Sequence, residues 1–227
     1  MSEVSDHLSW NRQTLAAWRQ AGRMLSLGGQ QIFVRDEGEA GQTPVLLIHG
    51  FPTASWDWQG LWAPLRRDYR VVALDMLGFG FSDKPNRRDY SIHQQADIVE
   101  AVVAELDLPP FHVLAHDYGD TVAQELLARQ QEGSGVGQWR SLCFLNGGLF
   151  PETHRALLTQ KLLLSPLGPL VNRLSGAAQF RKSFSRVFGP DTKPTAEELD
   201  ALWAMINEND GKHIFHNLIT YMRDRKQ

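Results

Sequence analysis

Cysteine is almost missing from this chain of 227 residues, since Cys143 is the only one. A single cysteine excludes an internal disulfide and is typical of proteins kept in a reducing compartment. Cys143 lies within the apolar stretch "SLCFLN". A buried packing role is therefore predicted for its side chain rather than a catalytic one.

Long apolar runs and a strong excess of either charge are missing as well. The most apolar stretch, "KLLLSPLGPLV", is interrupted by Pro166 and Pro169 and falls short of the ~20 residues that span a bilayer. The start of the chain is polar and mixed in charge, which is unlike a secretory signal. The net charge is −3 without a long basic run, so nothing points to a nucleic acid or to an anionic membrane surface. We predict a soluble, cytoplasmic protein without a membrane span, and its oligomeric state stays open.

Short apolar runs dominate the N-terminal part of the chain. Two of them, "RMLSL" and "QQIFVR", flank Gly28 and Gly29 and predict a β-hairpin. Four more are continuous rather than alternating, which is typical of strands covered on both faces, as in a parallel sheet. These four lie at 44–49, 69–75, 111–116 and 141–146. Helical patterns between them, such as Ile92, Ala96 and Val99 on one face, complete the βαβ units of an α/β fold.

From about residue 150 the strand signal ends and helical patterns take over. Helices are predicted over 153–164, 176–187, 195–208 and 212–227. Thr195 and Glu198 predict a capping box at the start of the third. An N-terminal amphipathic helix is predicted from Leu8, Leu15 and Trp18. We therefore divide the chain into a core over 1–149 and a helical cap over 150–227.

Three loops that follow predicted strands carry distinctive residues. In open α/β sheets, ligands bind beyond the carboxyl ends of the strands, where these loops lie. The first is "HGFP" at 49–52, and the second is the glycine turn "LDMLGFGFSDKP" at 74–85. The third, "AHDYG" at 115–119, has the small-x-nucleophile-x-Gly pattern of a nucleophile elbow, with Asp117 at its centre. Each alone has a structural interpretation, such as an N-cap, but their joint occurrence favours a catalytic site.

Three stretches, "HGFPTASWDW", "HDYGDTVAQELL" and "SLCFLNGGLFPETHR", resemble the α/β-hydrolase fold family and, within it, the epoxide hydrolase and haloalkane dehalogenase branch. The resemblance runs from about residue 18 to the last residue. It implies an α/β-hydrolase fold with a mostly parallel sheet, an N-terminal hairpin and a helical cap inserted after the sixth strand. It also implies a small, largely apolar substrate, water as co-substrate and no cofactor.

The resemblance makes Asp117 a nucleophile that attacks a saturated carbon and forms an ester on the enzyme, which water then cleaves. Backbone N–H groups of Phe51 and Tyr118 would form the oxyanion hole for the second step. In the epoxide hydrolases a tyrosine of the cap protonates the epoxide oxygen. Tyr221 is the only tyrosine between 150 and 227 and is the candidate by elimination, with a partly buried helix tyrosine as an equal alternative.

Residues around these loops are assigned to substrate binding. They are His49, Gly50, Pro52, Trp56, His116 and Asn146, with Trp58 as a further pocket candidate. Haloalkane dehalogenases typically have a tryptophan after the nucleophile and often an asparagine after the HG pair. Tyr118 and Phe51 stand in those places, so the pattern favours an epoxide hydrolase, and a haloalkane dehalogenase is the alternative.

The late histidine of the family has no counterpart in this sequence. None of the eight histidines follows a further strand, and Asn146 stands where some relatives carry an acid. We therefore expect a shortened form of a longer hydrolase, without the final strands, in which Asp117 is alkylated once with slow or no turnover. Its last parallel strand would be an unprotected edge. His213 and His216 lack a third ligand at a convincing spacing, so no metal site is predicted.

Two functions of other classes are compatible with parts of the pattern. A non-catalytic binding module would keep the pocket without the histidine and would retain a ligand unchanged. A nucleotide-binding oxidoreductase would need the spacing G-x-G-x-x-G, which "LGFGFSD" lacks. The hydrolase interpretation therefore leads.

Overall fold

The computed structural model describes residues 13–86, 90–148, 150 and 158–224. Its six strands are β1 Arg23–Leu27, β2 Gln30–Glu37, β3 Pro44–Ile48, β4 Arg70–Leu74, β5 Phe111–His116 and β6 Trp139–Leu145. They form one sheet in the order β1-β2-β4-β3-β5-β6. The pairs β1–β2 and β2–β4 are antiparallel, whereas β4, β3, β5 and β6 run parallel. The predicted hairpin and the mostly parallel sheet of an α/β fold are confirmed.

The central strand β3 explains why the predicted strands are continuous apolar runs. All of its residues are buried. Leu46 and Ile48 belong to one core cluster and Val45 and Leu47 to a second, because successive side chains point to opposite faces. Helices cover both faces. They are α1 Leu15–Ala21 and α2 Gln59–Leu65 on the second cluster, and α3 Ile92–Glu105 and α4 Tyr118–Glu132 on the first.

The chain after 157 is helical, as predicted. Its helices are α5 Leu158–Leu163, α6 Gly168–Leu174, α7 Ala177–Phe184, α8 Ala196–Asn207, α9 Phe215–Leu218 and α10 Tyr221–Asp224, with 3₁₀ turns at Ser185–Val187 and Glu208–Ile214. The predicted capping box of α8 is confirmed. The Glu198 N–H donates to Thr195 Oγ1 at 3.2 Å, and the Thr195 N–H donates to Glu198 Oε2 at 2.8 Å.

Two details of this segment differ from the predictions. The single helix predicted over 212–227 is wrong, because a 3₁₀ turn leads into two short helices, α9 and α10. The turn opens at Asn209 and Asp210, whose φ angles of 51° and 56° are left-handed. The sequence pattern misses α6, since Pro169 reads as a break. Pro169 lies in the first turn of α6, where a backbone N–H has no intrahelical acceptor anyway.

The prediction at Leu8 lies outside the described residues, as do His7, His154 and parts of two predicted helices at 153–157 and 225–227. Within the described ranges, none of the helices combines the length and the apolar character needed to cross a bilayer.

The helical segment packs directly onto the sheet. Ile214 and Leu218 belong to the same buried cluster as Leu46, and Leu202 and Met205 of α8 join the cluster on the other face. Core and cap therefore share buried side chains. The division of the chain at 149 stays a proposal.

Among the described residues β6 is an edge strand, since it pairs with β5 alone. Its burial is correspondingly incomplete, and Cys143 is exposed. The prediction that Cys143 is buried is therefore wrong, because an edge strand has a neighbouring strand on one side only. An edge of this kind is open to pairing with another chain.

Candidate active site

Asp117 lies at the turn between β5 and α4, with φ 52° and ψ −110°. A positive φ is uncommon for a residue other than glycine, and it persists only where the surroundings hold it. Gly119 makes the turn possible, because a Cβ at this position would lie 2.4 Å from the Ile48 carbonyl oxygen and 2.7 Å from that of His49. The close passage of the turn against β3 is what a nucleophile elbow requires.

Backbone hydrogen bonds hold the Asp117 carboxylate and main chain. The Phe51 N–H donates to Asp117 Oδ1 at 2.8 Å, and the Asp117 N–H donates to the Leu145 carbonyl oxygen at 3.1 Å. Gly50 permits the first contact, since a Cβ on it would lie 2.8 Å from the Cβ of Asp117. The ends of β3, β5 and β6 therefore meet around this one partly buried side chain.

His49 is fully buried, and both of its ring nitrogens are engaged. Nε2 accepts from the Met76 N–H at 3.0 Å. Nδ1 therefore carries the hydrogen and donates to the Gly50 carbonyl oxygen at 2.8 Å. Burial lowers the pKa of His49 to about 4, so the ring is neutral at pH 7. The ring thus ties the loop after β3 to the loop after β4, and the assignment of His49 to substrate binding stays a prediction.

Tyr221 reaches the elbow from the cap. Its ring centroid lies 4.2 Å from that of Tyr118 and 5.9 Å from that of Phe51. The Phe215 ring also contacts Phe51, at 5.1 Å. Tyr221 therefore lies beside both residues predicted for the oxyanion hole.

The Tyr118 hydroxyl is buried without a hydrogen-bond partner among the described residues. Burial raises its pKa well above the usual value, with further contributions from Tyr221 and Asp224. The hydroxyl is therefore protonated at neutral pH and remains a donor that lacks an acceptor. A donor of this kind is costly unless a ligand or a water satisfies it.

Trp58, and not Trp56, is the tryptophan that adjoins the elbow. The Trp58 ring lies edge-on to His116, with centroids 6.3 Å apart. Trp56 is buried, and its Nε1–H donates to the Gln13 carbonyl oxygen at 3.0 Å. The assignment of Trp56 to substrate binding stays a prediction. Asn146 is exposed at the end of β6 with a φ of 56°.

A small cavity lies between the loops after β3 and β4 and the helical segment. Its volume is about 10 Å³, and Pro52, Phe79 and Phe215 are among its lining residues, whereas Asp117 is not. That volume is close to the minimum for one water. A cavity of about 440 Å³ lies at the opposite end of the sheet, beside 38–44 and Arg140, and contains none of the candidate residues.

Asp120 is a buried acid that the sequence pattern misses. It is fully buried in the first turn of α4, and its Oδ1 accepts from the Leu145 N–H at 3.3 Å. Burial raises the pKa of Asp120 to about 7, hydrogen bonds from Leu145 and Gly147 oppose that rise, and the charge of Asp117 adds to it. Leu145 is thus held by Asp120 through its N–H and by Asp117 through its carbonyl group. An acid in the first turn of a helix ordinarily indicates an exposed dipole partner, so no local signal marks its burial.

Asp75 is a second buried acid that was not assigned. It directly follows β4 and accepts from the Ser55 N–H at 2.8 Å and from the Phe81 N–H at 2.7 Å. Burial raises its pKa, and the hydrogen bonds and the nearby Lys84 oppose the rise. Its position directly after the apolar run of β4 is the sequence signal that could have identified it. Asp75 therefore ties the loop after β3 to the loop after β4.

The other described histidines are held by partners away from the elbow. His93 pairs with Glu125, His112 contacts Ser141, His213 pairs with Asp210 and His216 contacts Asn172. Within the described ranges, no cluster of three or more His, Cys, Asp and Glu side chains has the arrangement of a metal site.

Comparison with known sequences identifies related proteins that are longer than this chain. A profile of the α/β hydrolase fold matches residues 43–135. The mesoderm-specific transcript protein of Mus musculus is 47% identical over 221 residues, which cover 94% of this chain and 66% of the mouse protein. The putative hydrolase LipZ of Mycobacterium tuberculosis is 40% identical over 209 residues, which cover 92% of this chain and 72% of LipZ. The chain thus spans just under two thirds of the length of the mouse protein.

Solved structures share the fold at lower sequence identity. The epoxide hydrolase VrEH1 from Vigna radiata superposes with a TM-score of 0.66 and 19% identity, covering 89% of this chain and 73% of VrEH1. The haloalkane dehalogenase DatA from Agrobacterium tumefaciens C58 gives a TM-score of 0.67 and 20% identity, covering 90% of this chain and 73% of DatA. Likeness at this level of identity establishes the fold alone.

Proposed function

This chain belongs to the α/β-hydrolase family, and from that premise we propose that it is a hydrolase that acts on small, largely apolar epoxides through Asp117. The observation that carries the proposal is the elbow, where a carboxylate at positive φ accepts a hydrogen bond of 2.8 Å from the Phe51 N–H. A carboxylate suits attack on a saturated carbon, because the product is an ester that water can cleave.

In the first proposed step, Asp117 Oδ2 attacks an epoxide carbon. The bond between that carbon and the ring oxygen breaks, and the ring oxygen takes a proton. Tyr221 is the proposed donor, which is supported by its ring contacts with Tyr118 and Phe51. Oδ1 stays in its hydrogen bond with the Phe51 N–H and becomes the carbonyl oxygen of the ester.

In the second proposed step, water adds to the ester carbon and negative charge develops on Oδ1. The Phe51 N–H already donates to that oxygen. The Tyr118 N–H is the proposed second donor, because the first N–H groups of a helix have no intrahelical acceptor. Such a donor typically contributes ~3–4 kcal/mol to the rate. The water also needs a base. Of the two described histidines beside the elbow, His49 is hydrogen-bonded through both ring nitrogens and His116 packs against Trp58, so we propose that the ester accumulates on this chain.

A haloalkane dehalogenase is the alternative within the same chemistry. In that reaction the alkyl carbon forms the ester and the halide leaves with its electron pair, so it needs hydrogen-bond donors rather than a proton. The buried Tyr118 hydroxyl, without a partner among the described residues, is the observation that favours this candidate. A non-catalytic binding module is the other alternative, supported by the hydrogen bonds that engage both ring nitrogens of His49.

The test is the intact mass of this chain after incubation with a panel of epoxides and alkyl halides. An epoxide reagent should add its whole mass once, and an alkyl halide would add the alkyl group with loss of the halide. The adduct should map to Asp117 and disappear in Asp117→Asn, which keeps the shape of the side chain but not its nucleophilicity.

Adducts that persist in Asp117→Asn at a residue other than the exposed Cys143, or folded protein that forms none at Asp117 with any reagent, would contradict an aspartate nucleophile. Reaction with halides alone would replace the epoxide proposal by its alternative. Retention of an unmodified ligand would favour the binding module.

A further inference from the structure

One face of α6 is anchored to the cap, and the other is left to solvent. Gly168 and Asn172 are buried, and the Asn172 side-chain amide donates to the Lys212 carbonyl oxygen at 2.5 Å. Leu167, Leu170 and Leu174 are 58%, 54% and 77% exposed. Residues at spacings of three and four share one side of a helix. The apolar side of this amphipathic helix therefore points away from the protein.

The exposed leucines extend onto the neighbouring helix. Leu162 of α5 is 38% exposed, and α5 contacts α6. We call Leu162, Leu167, Leu170 and Leu174 the leucine face. Single exposed apolar residues are ordinary, but a group of large ones on one surface marks an interaction site.

The segment that carries the leucine face has only positively charged side chains. Between 158 and 188 the sequence has five cations and no Asp or Glu, in a chain of net charge −3. The cations are Lys161, Arg173, Arg181, Lys182 and Arg186. Arg181 pairs with Asp200 at 2.5 Å. The other four are exposed, and no carboxylate of the described residues lies within ion-pair distance of them. The low net charge of the whole chain conceals this local excess.

We propose that the leucine face binds the surface of an anionic lipid bilayer. The leucines would enter the boundary between headgroups and acyl chains, while Lys161 of α5 and Arg173 of α6 contact the anionic headgroups, as in helices that lie in a membrane interface. The rest of the chain has an excess of acidic residues, which would keep other surfaces away from the bilayer and so favour one orientation.

Charge also disfavours a second copy of this chain as the occupant. A two-fold interface would place the same patch on itself, so the cations of one copy would face those of the other.

The position of the leucine face suits a substrate that is dissolved in the membrane. α6 contacts α9, whose Phe215 touches Phe51 at the elbow. Binding itself does not depend on catalysis, so this proposal stands or falls independently of the hydrolase proposal.

The test is co-sedimentation of the full chain with vesicles of mixed phosphatidylglycerol and phosphatidylcholine, and with vesicles of phosphatidylcholine alone. Binding is expected to the anionic vesicles, with weaker binding at high salt because the charges are then screened. The double variant Leu170→Ser/Leu174→Ser should lower the ratio of bound to free protein at least ~10-fold. Lys161→Gln/Arg173→Gln should also lower it at least ~10-fold, since each cation near such a surface is worth about fivefold.

Leu61→Ser is the matched control, because Leu61 is 44% exposed on α2 of the core, and it should bind as the unchanged chain does. Unchanged circular dichroism and thermal midpoint will show that the variants are folded. Absence of binding to anionic vesicles, or an equal loss in Leu61→Ser, would overturn the proposal. Sedimentation velocity supplies a further arm: if the chain self-associates and the leucine variant does not, the face is an interface between copies and the proposal is wrong.

Discussion

The elbow half and the cap half of the candidate site are held by different kinds of contact. On the elbow side, the Phe51 N–H donates to Asp117, the Asp117 N–H donates to Leu145 and the Met76 N–H donates to His49. These are directional bonds, and breaking one would leave a buried donor without an acceptor, at a cost of ~1–3 kcal/mol. The elbow is therefore a rigid frame.

On the cap side the contacts join rings. Tyr221 packs on Tyr118 and Phe215 packs on Phe51. Ring contacts of this kind are worth ~0.5–1.5 kcal/mol beyond burial. The Asp117 carboxylate is therefore held by directional backbone hydrogen bonds, whereas the helical segment meets the same loops through packed rings.

Replacement of Tyr221 by phenylalanine tests most directly whether the cap contributes chemistry as well as packing. Phenylalanine keeps the ring contacts with Tyr118 and Phe51 but has no proton to give. General acid catalysis typically contributes at least ~100-fold, so the rate of Asp117 alkylation by an epoxide should fall by about that factor. The measurement is the time course of the adduct by intact mass.

Alkyl halides provide the internal control for Tyr221→Phe. A halide leaves without needing a proton, so its rate of reaction should be unchanged in the variant. Equal slowing with epoxides and halides would mean that Tyr221 only positions its neighbours. No slowing with either would leave the cap with a packing role at this site.

Asp120→Asn tests how tightly the frame is held at Leu145. Burial raises the pKa of Asp120 from 3.8 to about 7, so the folded protein binds this proton over a pH range in which the unfolded chain has lost it. The free energy of unfolding should therefore fall as the pH rises through this window. Between pH 5 and pH 8 the contribution amounts to about 2–3 kcal/mol.

Asparagine keeps an oxygen to accept from the Leu145 N–H and does not ionise. Urea unfolding at pH 5 and pH 8 should therefore show that the variant gains stability over the unchanged chain at the higher pH. Other titrating groups, including Asp75, are present in both proteins and cancel in the difference. A difference that does not change with pH would mean that Asp120 is already ionised in the folded protein, and that Leu145 is held more loosely than the geometry indicates.

The elbow turn was predictable because the residues that signal it lie close together in the sequence. The pattern around Asp117 needs a small residue and Gly119 within a few positions, and the capping box of Thr195 with Glu198 likewise spans four residues. The continuous apolar strands were predictable for the same reason, since burial on both faces leaves no alternation.

The roles of the buried polar groups were not predictable, because their partners lie far along the chain. Asp120 meets Leu145, which is 25 positions away, and His49 meets Met76, 27 positions away. Nothing within "SWDW" distinguishes Trp58, which contacts His116, from Trp56, which packs in the core. The exposure of Cys143 depends on which strands adjoin β6, and its own sequence of apolar neighbours carries no information on that point.

The prediction with the smallest expected effect tests whether the α/β core and the helical segment unfold as separate units. Ser91 caps α3 in the core by accepting from the Gln94 N–H at 3.1 Å, and Thr195 caps α8 in the cap by accepting from the Glu198 N–H at 3.2 Å. Substitution of either by alanine should cost about 1 kcal/mol and shift the thermal midpoint by ~2–4 °C.

The two variants form a matched pair, because each removes one N-cap hydroxyl from one side of the comparison. Leu202 and Met205 of α8 lie in the same buried cluster as Val45 and Leu47 of β3, so cap and core should unfold together. Ser91→Ala and Thr195→Ala are then expected to shift one common calorimetric transition by similar amounts. Two calorimetric transitions, of which Thr195→Ala lowers only the one at lower temperature, would instead show that the helical segment unfolds while the α/β core stays folded. In that case the division at 149 would be a physical boundary, and opening of the site would amount to local unfolding of the cap.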